Sequence, residues 1–375
     1  MSERAPTAAP SEERITRVAA IVAVIGPVLA IVGLAAASGR GLPMPLTLAA
    51  LASIAILASS IARARRAAPV AAGLGVVGLV GLALFRASFA SAPIERASPE
   101  SIVLPIVEAP DGVGAYRIET GVIHRTASFA HRGGSFDVPR VFAMNAVLVT
   151  HPAGDVLIDS GLATEVDAHL EAMPAPFRLL TDLERGVSVD VQLDRLGYDR
   201  THLLGIVLTH AHWDHVSGAA DLDDVPLLVP EAERAFLDEG WITAVARSLS
   251  RDRFHTYDFD DGPALDAPRS HDVHGDGSIV IVPAPGHTPG SVMVLVTDSR
   301  ARRFLFVGDV VWQREGITQR EERPWLTRLG DHDADAVRAR IASLAAIAEA
   351  HPEITIVPSH DARAYEALEP LSAVR

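Results

Sequence analysis

The stretch THAHWDHVSG, Thr209 to Gly218, sets His210, His212, Asp214 and His215 within six positions of a 375-residue chain that holds 15 histidines. Imidazole nitrogens and carboxylate oxygens are the ligands of borderline divalent metals, and the chain has no cysteine. Any metal site here is therefore built from imidazole and carboxylate alone. The cluster follows the apolar run Leu204 to Leu208, which reads as a buried strand. Residues two apart on an extended chain point the same way, so His210 and His212 can share one metal. The reversal after them can aim Asp214 and His215 at a second. The bland alternative is a solvated polar loop.

Three further residues stand at the ends of apolar runs: His287 after Ile279 to Val282, Asp309 after Phe304 to Val307, and His360 after Ile354 to Val357. Each alone is an ordinary turn residue. As an ordered series at the mouths of rigid strands they supply enough ligands for two ions with positions left open. Two close cations acidify a shared water and polarise a carbonyl or phosphoryl oxygen, so hydrolysis is the reaction predicted. Asp214 and Asp309 are the candidate catalytic carboxylates, Asp214 as a proton carrier whose ligation would compete for the same oxygens.

The full series His-x-His-x-Asp-His, His, Asp, His from about Ser101 to Arg375 resembles the metallo-β-lactamase superfamily. The resemblance implies an αβ/βα sandwich, α+β in class, with two divalent ions, zinc by default, between the sheet edges. It implies His210, His212 and His287 on the first ion, Asp214, His215 and His360 on the second, and Asp309 bridging them. Asp159, in LIDSG, matches the buried Asp-x-Gly that orients the ligand loop without ligating. The stretch HPAGDVLIDSG and the terminal Ser359-His360-Asp361 look most like the lactonase branch, which opens N-acyl homoserine lactones. Those enzymes carry a tyrosine three positions after the bridging aspartate, where this chain has Trp312; an indole can donate a hydrogen bond or wall a pocket but cannot act as an acid. The expected substrate is a small ester or lactone. The alternatives are glyoxalase II-like thioester hydrolysis, arylester or phosphotriester hydrolysis, and non-catalytic metal binding.

Positioning these residues requires two sheets. Strands are predicted at Ile102 to Val107, Tyr116 to Ile123, Val141 to Thr150, Val156 to Ile158, Leu204 to Leu208, Leu227 to Val229, Ile279 to Val282, Val292 to Val296, Phe304 to Val307 and Ile354 to Val357. Helices are predicted at Thr164 to Leu170, Val189 to Leu196, Glu231 to Glu239 and Ala334 to Glu349. His124 and His131 flank a glycine-containing loop that could cover the metal site, and with Trp312 they are the candidate pocket residues. Pro324-Trp325-Leu326 is a candidate substrate-contacting insertion.

The chain divides into a membrane module at 1–86, a linker at 87–100 and a catalytic domain at 101–375. The apolar runs Val18 to Ala37, Leu42 to Ala62 and Ala67 to Phe85 hold no charged residue and are each close to bilayer length. They predict three transmembrane helices. A cleaved signal peptide is the competitor for the first, but two more spans follow. Gly73, Gly75 and Gly78 formally match a dinucleotide fingerprint, yet they lie in an apolar run with no acidic residue about 20 positions on, which favours helix packing in lipid. Arginines before the first span and between the second and third belong in the cytoplasm, so the catalytic domain is expected outside it, on an inner or plasma membrane protein. The net charge of −14 is uneven: Met1 to Ala97 holds nine arginines against four glutamates, so the acidic remainder makes a poor nucleic-acid binder. The oligomeric state is left open.

Overall fold

The computed structural model describes residues 81, 83–97, 101–325 and 327–374. Among them no helix is long and apolar enough to cross a membrane. The three predicted spans lie outside the described residues except for the end of the last, where 81 and 83–85 are helical. Phe89–Arg375 is one compact unit.

Its frame is two sheets. The first has the path β13-β1-β2-β3-β5-β6-β7, with β4 paired to β1. Its strands are β1 (Gly114–Thr126), β2 (Pro139–Thr150), β3 (Asp155–Ile158), β4 (Leu183–Arg185), β5 (Leu203–Val207), β6 (Leu227–Pro230), β7 (Phe254–Tyr257) and β13 (Glu369–Pro370). The second has the order β12-β11-β10-β9-β8, from β8 (His271–Asp272), β9 (Ile279–Pro283), β10 (Val292–Thr297), β11 (Arg303–Phe306) and β12 (Ile354–Val357).

The two-residue period of a strand decides how the layers stack. In β10, Val292, Val294 and Val296 join an apolar cluster with Val156, Ile158 and Val207 of the first sheet, while Met293 and Leu295 join another with Val337, Ile341 and Leu344. The last three belong to the helix Ala334–Ala350, whose N-terminus is capped by the Asp333 carboxylate accepting from the amides of Asp335 and Ala336. Leu157 and Ile206 instead meet Val189 and Leu193 of the helix Val189–Leu196. Both faces of each sheet are thus buried, giving the helix-sheet-sheet-helix sandwich expected. Strands sealed on two sides read as continuous apolar runs, which is why they were visible in the sequence.

The directions of the strands gather the candidate ligands. β9 and β11 both run antiparallel to β10, and β12 runs parallel to β11. The loops after β9, β11 and β12 therefore emerge at one end of the second sheet and carry His287, Asp309 and His360. In the first sheet β3 and β5 are parallel, and Asp159 and the histidine cluster follow their ends.

Two expectations need revision. Ile102 to Val107 is not a strand: it makes one bridge, Val103 to Leu265, because Pro105 brings no N–H and Ile106 is 90% exposed. Residues 89–97, expected as linker, lie against the domain. The Ala92 amide donates to Glu321 Oε2 at 3.0 Å, Ser91 Oγ donates to Glu321 Oε1, and the Ile94 amide donates to the Arg320 carbonyl at 2.7 Å. Ile94 is buried in the core of the second sheet.

Candidate metal centre

The ligand loop begins with a strained residue. Asp159, just past β3, has φ 55°, a left-handed conformation that costs a non-glycine residue about 1 kcal/mol or more. It is held there by its contacts: Oδ1 accepts the Thr209 amide at 2.8 Å, and Oδ2 accepts the Thr209 hydroxyl at 2.9 Å and faces His215 Nδ1 at 2.8 Å. Asp159 thus ties Thr209, at the start of the histidine cluster, to His215 near its end. Gly308 has φ 55° directly before Asp309, where an added Cβ would sit 3.0 Å from Thr209 Cβ.

All seven predicted ligands converge in three overlapping groups: His210, His212 and His287; His210, His215 and Asp309; Asp214, His215 and His360. Within each, candidate ligand atoms lie within 4.8 Å of one another. Asp309 faces both sides. Its Oδ1 is 3.1 Å from His360 Nε2 and 3.3 Å from His215 Nε2, while Oδ2 is 3.5 Å from His287 Nε2 and 4.0 Å from His210 Nε2. His212 Nδ1 lies 2.9 Å from His287 Nε2.

These residues fit a metal. His210 Nε2, His212 Nε2, His215 Nε2 and Asp309 Oδ1 are buried without a hydrogen-bond partner, and orphaned buried polar atoms cost free energy unless a cation satisfies them. The ring nitrogens on the far side are fixed. His215 Nδ1 faces Asp159, His287 Nδ1 faces Asp331 Oδ1 at 2.7 Å, and His360 Nδ1 faces the Ala143 carbonyl at 2.8 Å. Each partner accepts the Nδ1 proton and leaves Nε2 as the lone-pair donor.

Electrostatics agree. Burial, reinforced by the neighbouring imidazoles, pushes His210 and His212 well below the usual value, so both are neutral and able to ligate. For His215 burial acts the same way but is outweighed by Asp159, Asp309 and Asp214, which hold it well above. His360 is raised by Asp309 against burial. Burial would raise Asp309 too, yet His360 and His215 drive it well below the usual carboxylate range. The negative field that keeps protons on His215 and His360 favours a divalent cation in their place.

Other residues brace the site. The fully buried Glu233 accepts the Ala211 amide at 2.6 Å on Oε1, and the Thr288 hydroxyl at 2.6 Å and Gly290 amide at 3.1 Å on Oε2. Burial pushes it up to about 7 even against these three donors. Trp312 Nε1 donates to Asp309 Oδ2 at 2.7 Å, and its ring stacks on Phe129 at 5.5 Å and meets Phe142 edge-on at 5.9 Å. Trp312 thus packs among aromatic rings beside Asp309, and its donor is spent on that carboxylate.

The two histidines expected beside it have other partners. His124 lies on β1, 47% exposed in its side chain, with Nε2 2.9 Å from Glu184 Oε2. His131 is buried with Nδ1 against the Arg132 carbonyl at 2.9 Å. Phe129, from the helix Ala127–Ala130 between them, is the residue of that segment that reaches the site. Trp325 is 40% exposed, and its segment instead delivers Arg323, buried with Cζ 4.6 Å from the Trp312 ring centroid. Sequence reading missed Phe129, Glu233, Arg323 and Asp331. Nothing local distinguishes Arg323 among 33 arginines, or Asp331 in a run of acidic residues.

Comparison with known proteins gives the same picture. The family model described as the metallo-beta-lactamase superfamily matches residues 139–360. The chain is 26% identical over 263 residues to N-acyl homoserine lactonase AttM of Agrobacterium fabrum, covering 67% of this chain and 94% of that protein. It is 30% identical over 192 residues to a probable metallo-hydrolase of Mycobacterium tuberculosis, covering 47% and 60%. Among solved structures, a quorum-quenching N-acyl homoserine lactone lactonase superposes with a TM-score of 0.52 at 17% identity, over 69% of this chain and 97% of that one. An N-acyl homoserine lactone hydrolase with N-hexanoyl-L-homoserine at its metal centre gives 0.54 at 16%, over 69% and 98%. At these identities the superpositions speak for the fold. With the sandwich, the convergent ligand series and the family match in agreement, the chain belongs to the metallo-β-lactamase superfamily and is a metal-dependent hydrolase.

Proposed function

We propose that this protein hydrolyses a small lactone or related ester at a dinuclear centre, zinc by default. The observation that carries the reading is Asp309, whose two oxygens face two separate ligand sets, His215 and His360 on one side and His287 and His210 on the other. Two bound divalent ions would acidify a shared water and polarise the scissile carbonyl. The chain's own residues supply the rest. Asp214 Oδ2 lies 3.4 Å from His360 Nε2, and its side chain keeps 13% exposure, so it can take the proton from the attacking water and pass it to the leaving alkoxide. Phe129, Phe142 and Trp312 form an apolar wall suited to an acyl chain. The likeness to the Agrobacterium lactonase favours lactones over thioesters and aryl esters.

The three apolar runs of the first 85 residues support a second element of the reading, a membrane anchor with the hydrolase outside the cytoplasm. A reporter fused after Arg375 that is active only in the cytoplasm would overturn that orientation.

The test is proton release by the zinc-loaded full chain from a panel of lactones, thioesters and aryl esters, beside His212→Ala. Lactone turnover is expected, falling about 100-fold or more in the variant. Zinc binding without lactone turnover would reject the lactonase reading, and the other substrates would replace it.

A further inference from the structure

Arg323 is a buried cation with donors to spare. It is 3% exposed, and its Nη2 donates to Asp331 Oδ1, the carboxylate that also faces His287 Nδ1. Its Nε and Nη1 have no hydrogen-bond partner. Nη1 is 3.9 Å from Asp309 Oδ2, too far for a hydrogen bond. That oxygen already receives the Trp312 indole N–H at 2.7 Å. The guanidinium is held over the Trp312 ring, Cζ 4.6 Å from its centroid, so its position is fixed by packing.

Burying a guanidinium is costly unless its N–H groups are used. Here the N–H of Nε and both of Nη1 are unused, and the nearby site is built to hold cations that would repel it. An anion beside Asp309 resolves both problems. Resting on the hydrolase reading above, we propose that Arg323 receives a carboxylate at the metal centre. Opening an ester or lactone turns its carbonyl into a carboxylate at this place; a carboxylate carried by the substrate itself would present the same chemistry. Arg323 would then hold the acyl product, or select substrates with an acidic group near the scissile bond.

The experiment is acetate binding to the zinc-loaded full chain by calorimetry, with zinc content measured in each sample, for wild type, Arg323→Gln and Arg323→Lys. The lysine keeps a charge beside Asp331 should the glutamine variant lose zinc. Roughly tenfold or greater weakening is expected in Arg323→Gln, from the loss of hydrogen bonds to a charged group, with partial recovery on adding methylguanidinium, which a merely structural role would not give. Kinetics on a neutral ester and its carboxylate-bearing counterpart separate the sources. A higher KM for the acidic ester alone identifies the substrate's own carboxylate, and weaker inhibition by the carboxylate product with both esters identifies the one formed in the reaction. Wild-type acetate affinity in both variants at equal zinc content would overturn the proposal. Binding is read without turnover, so absence of esterase activity in the wild type would reject the hydrolytic reading separately.

Discussion

Glu233 puts one carboxylate between the two loops that carry the first ligand set. It binds the amide between His210 and His212 with one oxygen, and with the other the hydroxyl and amide that follow His287. Glu233→Gln leaves a single acceptor, and its amide NH2 must face an N–H or hydroxyl donor. The expected cost is about 2 kcal/mol, a fall in melting temperature of roughly 4 to 8 °C for a domain of this size, together with about tenfold weaker zinc binding. Thermal melting and competition against a chelator of known affinity measure both; unchanged values would remove Glu233 from the site's support. The seven candidate ligands stood out in the sequence because they are ligand types that follow apolar runs, and the structure brings them together. Glu233, Asp331, Arg323 and Phe129 did not: Glu233 meets Ala211 and Thr288, 22 and 55 positions away, Phe129 meets Trp312, and Arg323 pairs with Asp331 across eight positions that carry no strand or α-helix pattern.

At the level of elements, the doubly buried strands were legible from their valine, isoleucine and leucine runs, and β12 has the predicted bounds, Ile354–Val357. The strands β4, β7, β8 and β13 were not. They are two to four residues long and mostly polar on their open sides, so their pairing is decided by neighbours rather than propensity. The segment before the domain is the other surprise. Residues 89–97 bury Ile94 and satisfy the carboxylate of Glu321, itself 2% exposed and two positions before Arg323. A chain beginning at Ser98 strands that carboxylate and uncovers apolar surface. Compared with one beginning at Ala87, it should be less stable by about 3 kcal/mol and melt roughly 6 to 12 °C lower. Equal melting would mean the segment rests on the domain without stabilising it.

Across the whole molecule, chain order and strand direction together bring residues from positions 159 to 360 to one rim of the sandwich. The series was readable because the fold places these candidate ligands after successive strands. The acidic balance of the catalytic portion fits a small neutral or weakly charged substrate rather than a polyanion, while the buried Arg323 supplies a local positive charge inside that acidic surround. The central claim is that two ions, shared through Asp309, make the protein a hydrolase. It is tested most directly by stripping the full chain of metal and following lactone hydrolysis as zinc is added in measured equivalents, beside Asp309→Ala. Activity should be absent in the stripped protein, rise until about two equivalents are bound, and stay low in the variant. Full activity in the stripped protein, or a plateau reached at one equivalent, would contradict the dinuclear account.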